Sequence, residues 1–201
     1  MRYSEKIANE YVCAMWIYEP WLKKLGLKMP ETLSEFKEAL IAFRDNDLNG
    51  NGEKDEIPLL DYTDEKVIIQ IMQCFIPFEE MNYWLSVKDG KLSFAFARDE
   101  YKEGLKYLND LYKEKLYSSS GLTMDVNQVK SVLAMEDNQV GAFSAAGTSL
   151  LPASSPRRGE YRGVVLKNGD NSSVWYEKTN TLPRPVMFIT AVWTRRLSAN
   201  L

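Results

Sequence analysis

The chain has 201 residues, 45% of them hydrophobic and 26% charged, with a net charge of −3. That balance belongs to a globular protein able to bury a core as one domain or two small lobes. It excludes a general electrostatic pull toward nucleic acid, and no apolar run approaches the ~20 residues of a membrane span.

There is no histidine, which removes Ser-His-Asp, Cys-His and His-metal chemistry. Cys13 and Cys74 cannot make a zinc site alone. They either pair or stay as small buried apolar residues, and the second reading is favoured because free cysteine is commonly buried. The start, "MRYSEKIANEYVCAMW", lacks the basic stretch followed by an apolar stretch of a signal peptide. Cys13 follows Glu10, Tyr11 and Val12, unlike a lipid-anchoring cysteine.

In "PETLSEFKEALIAFRDND", Thr32 is a natural N-cap and Glu35 completes a capping box. Phe36, Leu40 and Phe43 fall on one helical face. The helix is expected to stop near Asp45. In "YWLSVKDGKLSFAFA", Asp89-Gly90 between two β-capable runs predicts a hairpin, because a type I′ turn needs positive φ at both central residues. Leu92, Phe94 and Phe96 alternate as a strand with one buried face would. A second helix, "RDEYKEGLKYLNDLYKEKL", is capped by Asp99 and carries a stripe of Tyr101, Leu105, Leu108 and Tyr112 read as core packing. Gly104 inside it costs roughly 1 kcal/mol against Ala and points to close packing. A third helix follows Asp125, then a short strand in "NQVGAFS".

The composition shifts near residue 150. Residues 1–149 hold 17 basic and 25 acidic residues, a net of −8, whereas residues 150–201 hold 8 and 3, a net of +5. The basic tail either pairs electrostatically with the acidic part or is weakly ordered. Asn168-Gly169 predicts one hairpin in it, joining "GVVL" to "SVWY".

The most specific stretch is "DNDLNGNGEKDEIPLL", Asp45 to Leu60. Numbered from Asp47, side-chain oxygens fall at positions 1 (Asp47), 3 (Asn49), 5 (Asn51) and 9 (Asp55), with Gly52 at position 6. Glu53 at position 7 offers its carbonyl. This is the first half of an EF-hand loop, and an all-oxygen set favours a hard cation. Position 12 is Pro58 where an EF-hand has glutamate, so Glu56 at position 10 is expected to supply the bidentate carboxylate. The competing reading is a metal-free loop in which Asn and Asp side chains bond their own backbone.

"WIYEPWLKKLGLKMPETLSEFKEALIAFRDNDLNGNGEKDEIPLL" resembles family 1 extracellular solute-binding proteins of ABC transporters, the larger lipoprotein members of Gram-positive bacteria. The "DGK", the "EYKEGLKYLNDLYKE" helix and the "VG" strand follow in the family's order, so the resemblance covers roughly residues 12–145. It implies an α/β fold, part of a two-lobed periplasmic-binding-protein-like architecture, helix-rich with short strands and hairpins. It also implies a structural Ca²⁺ held by Asp47, Asn49, Asn51, Glu53, Asp55 and Glu56, an oligosaccharide ligand and ABC permease partners. The implied location is extracytoplasmic, with membrane contact only through a lipid anchor that this chain does not carry. Members are longer than this chain, which therefore reads as a partial one. Residues 1–149 form the solute-binding-protein-like region with its calcium loop at 45–58. Residues 150–201 are a divergent basic tail, hinge or second-lobe remnant.

Sugars stack their apolar faces on aromatic rings, and Trp16, Tyr83 and Trp84 are the candidates for that role. Trp21 and Leu22 are assigned to the core. No catalysis is expected. The alternatives are a calcium-stabilised carbohydrate-active enzyme using a carboxylate pair such as Glu79-Glu80 or Asp99-Glu100, and a calcium-dependent interaction module.

Overall fold

A four-stranded sheet organises the protein in the computed structural model, which describes residues 14–62, 66–76, 85–88, 90–118, 120, 123–145 and 147–173. Its strands are β1 (Ala14–Tyr18), β2 (Ile57–Leu60), β5 (Val140–Ala145) and β6 (Tyr161–Val164), in the spatial order β2-β5-β1-β6. β2 and β5 run parallel, with Ile57 opposite Val140 and Leu60 opposite Phe143. β1 is antiparallel to β5 and to β6. β6 lies past the composition break at residue 150, yet it joins this sheet. A hairpin of β3 (Leu85–Lys88) and β4 (Lys91–Phe94) stands apart from it.

Both faces of the sheet are covered, because β1 alternates apolar residues on both sides. Met15 and Ile17 pack with Phe36, Leu40 and Phe43 of α2 (Leu33–Asp45), Ile71 of α3 (Lys66–Gln73) and Leu111 of α4 (Asp99–Lys113). Trp21 and Leu22 of the short helix α1 (Glu19–Lys24) join that cluster, as the sequence predicts. Ala14 and Trp16 face the other way, onto Val129 and Leu133 of α5 (Val126–Ala134). Fully burying each large side chain contributes about 1.5–3 kcal/mol.

Local signals are met where they rest on short-range geometry. Thr32 and Glu35 form the expected capping box of α2, and Asp125 caps α5. Gly90 closes the β3–β4 hairpin at φ 72°. Gly104 does mark close packing: a Cβ there would stand 2.6 Å from Met72 Sδ on α3. Cys74 is a free, buried thiol donating to the carbonyls of Gln70 and Leu166, and burial pushes it up to about 12. Cys13 lies outside the described residues.

Four expectations need correction. The buried stripe of α4 is Gly104 and Leu111 flanked by Tyr107 and Leu108, while Leu105 is 47% and Tyr112 52% exposed. The glycine lets α3 approach, and that approach selects the face. Asp99 is the first helical residue, following Arg98 as N-cap, so its charge meets the helix dipole from within the first turn. The alternation from Leu92 fails at Ala95, where the chain enters a 3₁₀ turn. Ala95 is buried, and Phe94 and Phe96 stack on each other, each more than half exposed. The Asn168-Gly169 turn forms, with Gly169 at φ 61°, but it joins two-residue strands, β7 (Lys167–Asn168) and β8 (Asn171–Ser172). Just outside them Leu166 and Ser173 meet as expected, Ser173 N donating to the Leu166 carbonyl at 2.8 Å and Leu166 N to Ser173 Oγ at 2.9 Å, while Gly163 and Val164 belong to β6 and "VWY" lies outside the described residues.

Candidate metal centre

The loop leaves α2 at Asn46 and enters β2 at Ile57. Leu48, buried in the main core, pins its first half. Lys24 Nζ donates to the carbonyls of Asp47 (3.3 Å) and Leu48 (3.2 Å). Gly50 at φ 83° and Gly52 at φ 90° take the left-handed turns that other residues adopt only with strain.

The loop's Asn and Asp side chains bond its own backbone, as the metal-free reading expects. Asp47 accepts the amides of Gly50 (2.7 Å) and Gly52 (2.9 Å). Asn49 Oδ1 accepts from Asn51 N at 3.0 Å, and Asn51 Oδ1 from Glu53 N at 2.8 Å. The two Nδ2 groups both turn inward onto Asp55 at 3.1 Å, and Gln139 Nε2 reaches the same carboxylate from the foot of β5. Burial works to raise the Asp55 pKa, but the amide donors of Asn51, Asn49 and Gln139 outweigh it and hold the carboxyl below the usual carboxylate range.

Glu56 is 8% exposed. Its Oε1 accepts the backbone amides of Leu48 and Asn49, while its Oε2 is buried with no hydrogen-bond partner among the described residues. Leaving a buried carboxylate oxygen unsatisfied costs ~1–3 kcal/mol or more. Among the described residues, no three Asp, Glu, His or Cys side chains are clustered closely enough to hold an ion by themselves. The loop's oxygen set is mixed, three carboxylates with two carboxamides and a backbone carbonyl. Such a set suits a hard cation, and the buried Glu56 Oε2 without a partner among the described residues is where a cation would fit.

The proposed sugar platforms fare differently. Trp16 is 4% exposed, and its indole donates to the Ala145 carbonyl at 3.0 Å. Its ring is packed under α5 and offers no open face. Tyr83 and Trp84 lie outside the described residues, as does Glu79-Glu80. Glu100 is engaged by Arg98 in an ion pair. One location carried no sequence signal: parallel pairing sets the carboxyl ends of β2 and β5 side by side. There Asp61, buried, accepts from Tyr117 Oη at 2.7 Å and Tyr62 N at 2.8 Å. No sequence period announces it, because the pairing is long-range. No helix among the described residues is long and apolar enough to cross a membrane.

No protein-family profile matches the chain. It is 38% identical over 95 residues to the fructooligosaccharide ABC transporter substrate-binding protein FusA of Streptococcus pneumoniae, covering 46% of this chain and 18% of FusA. It is 34% identical over 101 residues to the lipoprotein LipO of Bacillus subtilis, covering 46% of this chain and 19% of LipO. Each match thus spans about a fifth of the relative. The fold is similar to that of FusA in complex with kestose, with a TM-score of 0.68 and 27% identity over 87% of this chain and 35% of that one. It is equally similar to a FusA EF-hand mutant in complex with fructo-nystose, with a TM-score of 0.67 and 26% identity over the same shares. These neighbours are two-lobed solute-binding proteins, and the mixed α/β sheet described above agrees with them. Over about half its length the chain is thus similar in sequence to a substrate-binding protein of an ABC transporter and to a lipoprotein.

Proposed function

We propose that the chain is part of an extracytoplasmic solute-binding component of an ABC importer that binds an oligosaccharide without catalysis and delivers it to permease subunits. The observation that carries this reading is the likeness to FusA bound to kestose, which extends over 87% of the chain. The region beside the carboxyl ends of β2 and β5 is the expected place for the solute, since open α/β sheets bind ligands beside such ends. Residues 1–149 would supply this solute-binding region, and residues 150–201 the remainder, beginning with β6.

The same reading includes a structural Ca²⁺ held by Asp47, Asn49, Asn51, Asp55 and Glu56, with Glu53 giving its carbonyl. The unpartnered Glu56 Oε2 and the neighbour described as an EF-hand mutant support it. Bound there, Ca²⁺ would offset the three carboxylates and tie the end of α2 to the start of β2, with an affinity on the order of 10⁻⁴ to 10⁻³ M.

Calorimetric titration with kestose and a panel of unrelated oligosaccharides tests the function. Saturable heat with an oligosaccharide, and no new reducing ends on incubation, is the expected result. Silence across the panel overturns the oligosaccharide reading, and release of reducing ends favours the enzyme alternative.

A further inference from the structure

Gln139 lies 84 positions from Asp55 in sequence, yet it grips the loop at two points. Its side-chain Nε2 donates to Asp55 Oδ2. Its backbone carbonyl accepts the amide of Ile57 at 2.7 Å. Asp55 and Ile57 are the two neighbours of Glu56, the residue whose buried Oε2 has no partner among the described residues. On the opposite side, Glu56 Oε1 is fixed by the amides of Leu48 and Asn49. The direction of the free carboxylate oxygen is therefore set jointly by the loop and by one residue of another element.

Gln139 is itself anchored. It directly precedes Val140, the first residue of β5. Beside it, Asn138 is buried, donates to the Val140 carbonyl at 3.1 Å, and accepts from Arg157 (3.2 Å) and Tyr161 Oη (3.1 Å). Those bonds hold the approach to β5 against β6 and the preceding turn. Gln139 thus hangs from a hydrogen-bonded corner of the sheet, whereas Asp47, Asn49 and Asn51 stand on a surface turn.

We propose that Gln139 is a positioning residue of the cation site: it holds Asp55 and the backbone around Glu56 in the arrangement that takes up Ca²⁺. This rests on the calcium reading above. Partners that orient metal ligands without touching the ion typically contribute 10–100-fold to affinity, and a carboxamide donating to a carboxylate is of the stronger, charge-assisted kind. The sequence could not have placed Gln139 here, because only the parallel pairing of β2 with β5 brings it to the loop.

The test compares wild type, Gln139→Ala and Gln139→Met by Ca²⁺ calorimetry and by Tb³⁺ luminescence lifetimes in H₂O and D₂O, which count waters on the bound ion. Methionine keeps the length of the side chain without its donor, so it carries the comparison if the alanine variant does not melt cooperatively. The expected result is roughly tenfold or greater loss of Ca²⁺ affinity in both variants, with a larger water count on Tb³⁺. A purely structural tie would lower the metal-free melting point and leave affinity and water count unchanged. That outcome overturns the role of Gln139 and leaves the calcium site standing. Absence of Ca²⁺ binding in wild type overturns the site and, with it, this role.

Discussion

Gly141 of β5 sits against Phe43 of α2 so closely that the ring occupies the place of a Cβ, and such a Cβ would also stand 2.9 Å from the Pro58 carbonyl. The helix that ends in the loop, the strand that leaves it and the central strand β5 meet at this one glycine.

Gly141→Ala is expected to destabilise the protein by about 1–3 kcal/mol, the usual cost of overpacking a filled core. Neither the buried ring nor the Pro58 backbone can withdraw cheaply. A Cβ on Gly159 meets nothing within 4 Å, so Gly159→Ala should melt close to wild type. Urea titration of both variants checks this, and equal midpoints would show that the sheet relaxes around the methyl group.

Glu56→Gln keeps an acceptor for the amides of Leu48 and Asn49 but removes the charge. In EDTA its melting point should stay near that of wild type. Wild type in Ca²⁺ at a hundred times its Kd should gain about 2.7 kcal/mol, and the variant should gain nothing measurable. A variant that still responds to Ca²⁺ would place the ion elsewhere.

Burial raises the Cys74 thiol to about 12, above the ~8.5 of an unfolded thiol. A folded-state value raised in this way contributes stability that is fully present below about pH 8.5 and is lost as pH rises toward 12. On a Cys13→Ser background, Cys74 should resist maleimide at pH 8 in the folded protein and react once urea unfolds it. Fast labelling of the native chain would contradict its burial.

The Thr32–Glu35 box predicts two effects. Thr32→Ala removes the acceptor for the Glu35 amide, at 3.2 Å, and should cost about 1 kcal/mol. The amide of Glu31 and then that of Thr32, both donating to Glu35, hold its carboxyl below the usual range. Its contribution is therefore present above the unfolded value of about 4.3 and is lost as pH falls through the folded one. Acid melts of Glu35→Gln should show a shallower loss between pH 5 and 3 than wild type.

What the sequence determined by itself is what short-range geometry enforces. The capping boxes at Thr32 and Asp125, the turns at Gly90 and Gly169, and the bonds of Asp47, Asn49 and Asn51 to the loop's own amides all follow from spacings of a few residues. Backbone conformation alone sets those distances. The buried face of α4, the burial of Trp16, the side-by-side ends of β2 and β5, and the reach of Gln139 to Asp55 were decided only by the tertiary structure. Leu105 is chemically identical to Leu111, and no local rule distinguishes the exposed one from the buried one. The choice is made by α3 closing on Gly104, and by a parallel strand pair whose partners lie some eighty residues apart, because packing energy accrues only once distant surfaces meet.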